Sequence, residues 1–399
     1  MKLSRFLVLL VALSSAAAVV QGQNESPAFP AANPARNANA HRAGPRRASL
    51  IFIACHGLAC GDLSCYGQTN FQTPNLDRLA AEGVRFAGYR AGGDNLAHAQ
   101  AVLMTGDPAA AAVAGSTLPL RLRQAGYRTG LLGEWALGAE PWKQGFDDFA
   151  GFLNEQEADD FYSDFVWRYA QNGVREGTNY VLYPRFGREP IYRNAGGRKQ
   201  KFVPDFLVDT LLSFVRVNAP DAANHYRPFF LLVDLPLPHS VTPGKDEYPV
   251  PTDAPFTSES WPQAAKNRAA LVTRLDSGIG RLLEQLQKTG LTNDVAVFLA
   301  GATAPEKFAE AGLNFLQLKD EVRGGDSPDR LRVPMIVRWP AQVPAGRVIR
   351  TAWSAADFAP TALAIAGARP VPGLAGQSML PALLGGFETN APAGPEPSR

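Results

Sequence analysis

Three histidines are the groups most able to do chemistry here: His56 just beyond a short apolar run, His98, and His239 just beyond another. Gathered in one cleft, three imidazoles would hold a transition metal when neutral or an anion when protonated. The plainer alternative is that each is a hydrogen-bonded histidine that fills space. Glu134 and Asp94 could suggest acid/base work, but nothing in the sequence sets them at a useful separation, and an exposed or structural role is expected. Asp62, in Gly61-Asp62-Leu63, reads as a turn residue whose carboxylate accepts from nearby backbone N–H groups. Cys55, Cys60 and Cys65 are odd in number and fit no zinc spacing, so they read as small apolar residues of a strand and its loop.

The elements that must carry these groups are well punctuated. Leu50 to Ala54, Pro228 to Leu235, Val295 to Ala300 and Val333 to Val337 are short, continuously apolar runs of the kind buried on both faces of a sheet. Between them, Thr73 reads as an N-cap with Pro74 at the first helical position, Leu76, Leu79 and Ala80 as an apolar stripe, and Gly83 as a C-terminal cap. A longer helix carries Leu271, Leu275, Ile279, Leu282, Leu283 and Leu286 on one face and stops at Gly290. Strands alternating with helices predict an α/β fold, a mostly parallel sheet sandwiched by helices. Ligands of such sheets bind beyond the carboxyl ends of the strands, which here means just after Ala54, Leu235 and Ala300.

The segment GDLSCYGQTNFQTPNLDRLAAEGVRF, Gly61 to Phe86, resembles the sulfatase family of the alkaline phosphatase superfamily. Further matches follow in family order: Leu120 to Gly138, Gly145 to Phe152, Pro228 to His239, Leu275 to Leu286, Arg332 to Val348 and Leu374 to Leu384. The resemblance covers Leu50 to Leu384 and implies an alkaline phosphatase-like fold. Its members usually continue into a smaller antiparallel subdomain, which is expected to be reduced or absent here.

What the resemblance implies about chemistry is at odds with the residues present. A sulfatase hydrolyses a sulfate ester with a formylglycine made from the Cys or Ser of a C/S-x-P-x-R motif, helped by calcium, a hard ion that takes about six to eight oxygen ligands. The family's Asp-Asp pair falls on His56 and Gly57, and its Asp-Asn pair on Ala302 and Thr303. Counting back from Leu103-Met104-Thr105-Gly106 puts Leu96 at the nucleophile, His98 at the Pro and Gln100 at the Arg. Glu134 and Ala136 stand where the family has a Lys and a His. His239 matches a sulfate-contacting His, and Arg323 falls close to a family Lys. His239, Arg323, His56, His98 and Gln100 are therefore the ligand-binding candidates of a degenerate pocket, without a catalytic residue, a metal site, or support for the family's calcium and formylglycine.

Composition bounds the rest. Of 399 residues, 39 are basic and 37 acidic, so net charge gives no argument for nucleic acid or an anionic membrane. Residues 1–22 place Lys2 and Arg5 before the apolar Phe6 to Leu13 and read as a secretory signal peptide, which makes the chain secreted or periplasmic, with no transmembrane segment after cleavage. Residues 23–48 read as a disordered linker, 49–384 as the sulfatase-like domain and 385–399 as a disordered tail. Three functions stay open: a pseudoenzyme that binds a sulfated glycan, another anion or a partner; a phosphate or sulfate ester hydrolase with a different metal; and an ordinary arylsulfatase-like enzyme.

Overall fold

The structure is a computed structural model that describes residues 46–110, 117–158, 160–171, 174–176, 179–181, 185–220, 226–238, 248–303, 331–369 and 374–386. The expected signal peptide, nearly all of the expected linker and tail, His239 and Arg323 lie outside the described residues.

Among the described residues, fourteen strands run in chain order as β1 (Ser49–Cys55), β2 (Val84–Phe86), β3 (Tyr89–Arg90), β4 (Arg128–Glu134), β5 (Asp148–Phe152), β6 (Phe165–Ala170), β7 (Val174–Glu176), β8 (Asn179–Val181), β9 (Arg185–Pro190), β10 (Phe229–Leu235), β11 (Val295–Gly301), β12 (Met335–Arg338), β13 (Arg347–Ile349) and β14 (Trp353–Ser354). The helices are α1 (Pro74–Ala81), α2 (Leu96–Thr105), α3 (Leu118–Gln124), α4 (Val203–Val217), α5 (Gln263–Lys288), α6 (Phe358–Ile365) and α7 (Leu380–Leu383). Ten strands form one sheet in the order β13-β2-β12-β11-β1-β10-β4-β5-β6-β9. Its centre, β11 to β5, is parallel, whereas β12 and β6 join antiparallel on either side.

The apolar runs become the central strands because every residue of β1, β10 and β11 is buried. One face of the sheet packs Ile51, Ile53, Leu231 and Val233 beneath α1, α4 and α5. The other packs Leu50, Phe52, Phe230 and Phe298 beneath α2, α3, α6 and α7. This is the α/β sandwich the sequence predicts. No helix among the described residues is long and apolar enough to cross a membrane.

Two helix ends differ from expectation in their cause. Thr73 precedes α1 but its side chain makes no cap bond. Its hydroxyl is engaged by Ser64, and Asp276 of α5 accepts from the N–H groups of Asn75 and Leu76 at 2.9 and 2.8 Å instead. Gly83 follows the C-cap Glu82 without adopting positive φ; a Cβ there would lie 2.2 Å from the Val337 carbonyl, so glycine is required by close approach to β12. Gly290 does take the left-handed conformation beyond α5, at φ +70.

Candidate functional site

The carboxyl ends of β1, β10 and β4 bring three ionisable side chains together. His56 follows β1 directly, and its N–H donates to the Leu235 carbonyl at 3.0 Å. Asp234, the penultimate residue of β10, stands in register with Ala54, and Glu134 closes β4. The His56 ring lies between the two acids: Nδ1 is 3.0 Å from Glu134 Oε2, and Nε2 is hydrogen-bonded to Asp234 Oδ1. His56 and Glu134 are each 4% exposed and Asp234 1%.

That geometry favours the charged ring. A neutral imidazole can donate from only one nitrogen, and here each nitrogen faces a carboxylate that only accepts. Burial by itself would lower the pKa of His56, but the charges and hydrogen bonds of Asp234 and Glu134 outweigh it and raise the value to about 10. The centre is thus an imidazolium between two carboxylates, one positive charge against two negative ones.

Gln100 completes the network from α2. Its Nε2 donates to Asp234 Oδ2 at 2.9 Å and to the Glu134 carbonyl at 2.8 Å, while its Oε1 accepts from Ala136 N–H at 2.9 Å. Leu96, at the start of the same helix, is buried. His98 lies two residues from Gln100 and so on a different side of α2. Partly exposed, it has its Nε2 3.3 Å from the Pro108 carbonyl. The structure therefore joins His56 and Gln100 through Asp234 and leaves His98 outside their network, while His239 and Arg323 fall outside the described residues. Asp234 escaped the sequence reading, although one carboxylate inside the apolar run Phe229-Phe230-Leu231-Leu232-Val233-Asp234-Leu235 was a visible signal. Glu134, expected to be exposed or structural, is buried against His56.

A second buried pair braces the floor. Arg268 of α5 is fully buried; its Nε and Nη2 donate to Asp62 at 2.9 and 2.7 Å, and Nη1 and Nη2 reach the carbonyls of Pro238 and Gly57 at 3.0 and 2.8 Å. Asp62 also accepts from Ala59 N–H at 2.8 Å, the turn-holding role expected of it.

The positions that the family likeness would make calcium ligands are chemically unsuited to calcium. His56 is held between carboxylates, Gly57 and Ala302 have no side-chain oxygen, and the Thr303 hydroxyl accepts from Gly57 N–H at 3.1 Å. An ion that needs six or more oxygen ligands does not fit that donor set. Among the described residues no group of three or more His, Cys, Asp or Glu side chains is arranged to hold a metal. Leu96 offers no precursor of a formylglycine. Between Leu96, Gln100, Asp234 and Gly301 remains a cavity of ≈ 10 Å³, room for about one water. No disulfide joins Cys55, Cys60 and Cys65; burial pushes the Cys65 thiol up to about 12 and Cys55 further, the opposite of an activated thiolate.

Comparison with known proteins places this arrangement. The sulfatase family profile matches residues 49–368. N-acetylgalactosamine-6-sulfatase of Canis lupus familiaris is 27% identical over 384 residues, covering 87% of this chain and 68% of the relative. N-acetylglucosamine-6-O-sulfatase of Bacteroides thetaiotaomicron is 26% identical over 421 residues, covering 87% and 72%. Among solved structures, Ps i-CgsB in complex with k-i-k-neocarrahexaose superposes with a TM-score of 0.64 at 24% identity, over 86% of this chain and 77% of that one. A protein in complex with its substrate D-glucosamine-2-N,6-O-disulfate gives 0.61 at 21%, over 87% and 82%. With the family profile spanning most of its length and the fold shared, the chain belongs to the sulfatase family.

Proposed function

We propose that this chain is an exported, catalytically inactive member of its family that works by binding a sulfated glycan. The observation that carries the first half is the closed centre. Hydrolysis of a sulfate ester needs a nucleophile and positive charge facing the leaving group and the sulfate oxygens. At this centre the nucleophile position is a buried leucine, the single imidazolium is consumed by two carboxylates, and the amide of Gln100 is spent on Asp234 and the chain beside it. With two negative charges against one positive, the centre repels an anion.

The second half is supported by the sulfated ligands named for structural neighbours, k-i-k-neocarrahexaose and D-glucosamine-2-N,6-O-disulfate. Export is supported by the basic, apolar and small-residue succession of residues 1–22. The test is turnover of 4-nitrophenyl sulfate by the purified protein with and without calcium. The expected rate equals that of buffer; saturable turnover abolished by Asp234→Ala would refute the inactive reading.

A further inference from the structure

We infer that the end of β9 and the loop that follows it, residues 185–201, form the surface on which this chain takes a sulfated glycan; this rests on the binding role proposed above and adds its location. The segment carries Arg185, Arg188, Arg193, Arg198, Lys199 and Lys201 against the single acid Glu189, six positive charges to one negative in a chain whose overall net charge is only +2. A local excess of this size attracts a polyanion, whereas the rest of the chain, with 33 basic against 36 acidic residues, does not.

The segment is shaped as well as charged. Asn194, 1% exposed, fastens the loop: its Nδ2 donates to the carbonyls of Ser163 and Lys201 at 2.9 and 2.8 Å, and its Oδ1 accepts from the N–H groups of Gln200 and Lys201. Arg198 donates to the carbonyls of Ala195 and Tyr192, both at 3.0 Å, which fixes its guanidinium over the loop. The Arg188 guanidinium lies 4.2 Å from the ring centre of Phe165 and 4.8 Å from that of Trp167, a stacked placement that leaves its edge donors available. Lys199 and Lys201 are matched by Asp160 and Asp209, whereas Arg188, Arg193 and Arg198 have no carboxylate partner among the described residues. Beside these cations Tyr192, 76% exposed, offers an apolar face for the C–H faces of sugar rings, while Phe186, 49% exposed, is stacked on Trp167 with ring centres 5.0 Å apart.

The position suits a family member whose centre is shut. Phe165 of β6 pairs with Pro190 of β9, and β6 runs antiparallel to β5, so β9 ends on the same edge of the sheet as β5 and β4. Three strand spacings separate β9 from β4, about 14 Å at roughly 4.8 Å each. The basic loop is therefore on the rim that carries the closed centre but clear of its two carboxylates. Guanidinium groups pair bidentately with sulfate oxygens, whose charge persists at any working pH.

The experiment is surface plasmon resonance on an immobilised heparin hexasaccharide across a salt series, with the wild type and the triple variant Arg188→Gln, Arg193→Gln, Arg198→Gln. The wild type is expected to bind with an affinity that falls as salt rises, and the triple variant at least about tenfold more weakly with a shallower salt dependence. A charge-retaining Lys triple variant should keep most of the binding, and a desulfated hexasaccharide should show none. Should the triple variant fail to fold, Arg193→Gln alone, at an exposed position, carries the test. A variant that binds like the wild type overturns this surface and leaves the binding role standing. Equal binding to a single-stranded DNA of matched charge overturns the glycan as occupant, and a wild type that binds no sulfated glycan overturns surface and role together.

Discussion

The charge of His56 is met on both sides by buried carboxylates, Glu134 at one ring nitrogen and Asp234 at the other. Removing it leaves Glu134 and Asp234 buried together without a cation, and breaking such an assembly costs about 3–5 kcal/mol. His56→Gln should lower unfolding free energy by that order in urea titrations; a loss near zero would show that the ring bears no charge. The pH dependence has a definite sign. Because folding raises the pKa of His56 from its ordinary value of 6.5 to about 10, its contribution is complete below pH ~6.5 and is lost as pH rises through about 10. Wild-type stability should therefore fall on that alkaline limb more steeply than that of His56→Gln. Parallel curves for the two proteins would contradict the assignment.

Elements place these groups by contacts that local spacing does not encode. β1, β10 and β11 were legible because each is an apolar run, broken only by Asp234 in β10, and the helices because their stripes and stops are regular. His56, Gln100 and Glu134 were each named from the sequence, yet their meeting was not, since Asp234 is camouflaged inside an apolar run and Glu134 meets His56 only because β4 and β1 both flank β10. The cap of α1 shows the same limit: Thr73 stands at the N-cap as read, but the carboxylate that accepts from the first N–H groups is Asp276, reaching the helix from α5. Asp276→Ala should cost about 1–2 kcal/mol, the ordinary price of a lost N-cap, and hydrogen exchange should quicken in Pro74–Ala81 first. Unchanged exchange there would return the cap to Thr73. Gly133 is a stricter constraint: at φ +104, with a Cβ that would lie 1.7 Å from the Asp234 carbonyl, it lets β4 press against β10 where Glu134 is delivered. Gly133→Ala should fail to accumulate as folded protein, and a variant with wild-type melting behaviour would show that the strands can separate there.

As a whole, the molecule shares its family's sheet and helix layers and buries His56, Glu134 and Asp234 at the strand ends. The apolar mass lies in two layers, one on each face of the sheet, so the strand ends are free to carry either a site or a salt bridge. Turnover assays and glycan binding test what the chain does; one charge tests why. The most direct measurement is a ¹⁵N NMR titration of the imidazole nitrogens, with His56 identified among the five histidines through His56→Gln. Both His56 nitrogens should remain protonated through pH 8, with shifts indifferent to millimolar calcium. A neutral ring titrating near its ordinary value of ~6.5, or a calcium-dependent shift, would contradict the closed centre.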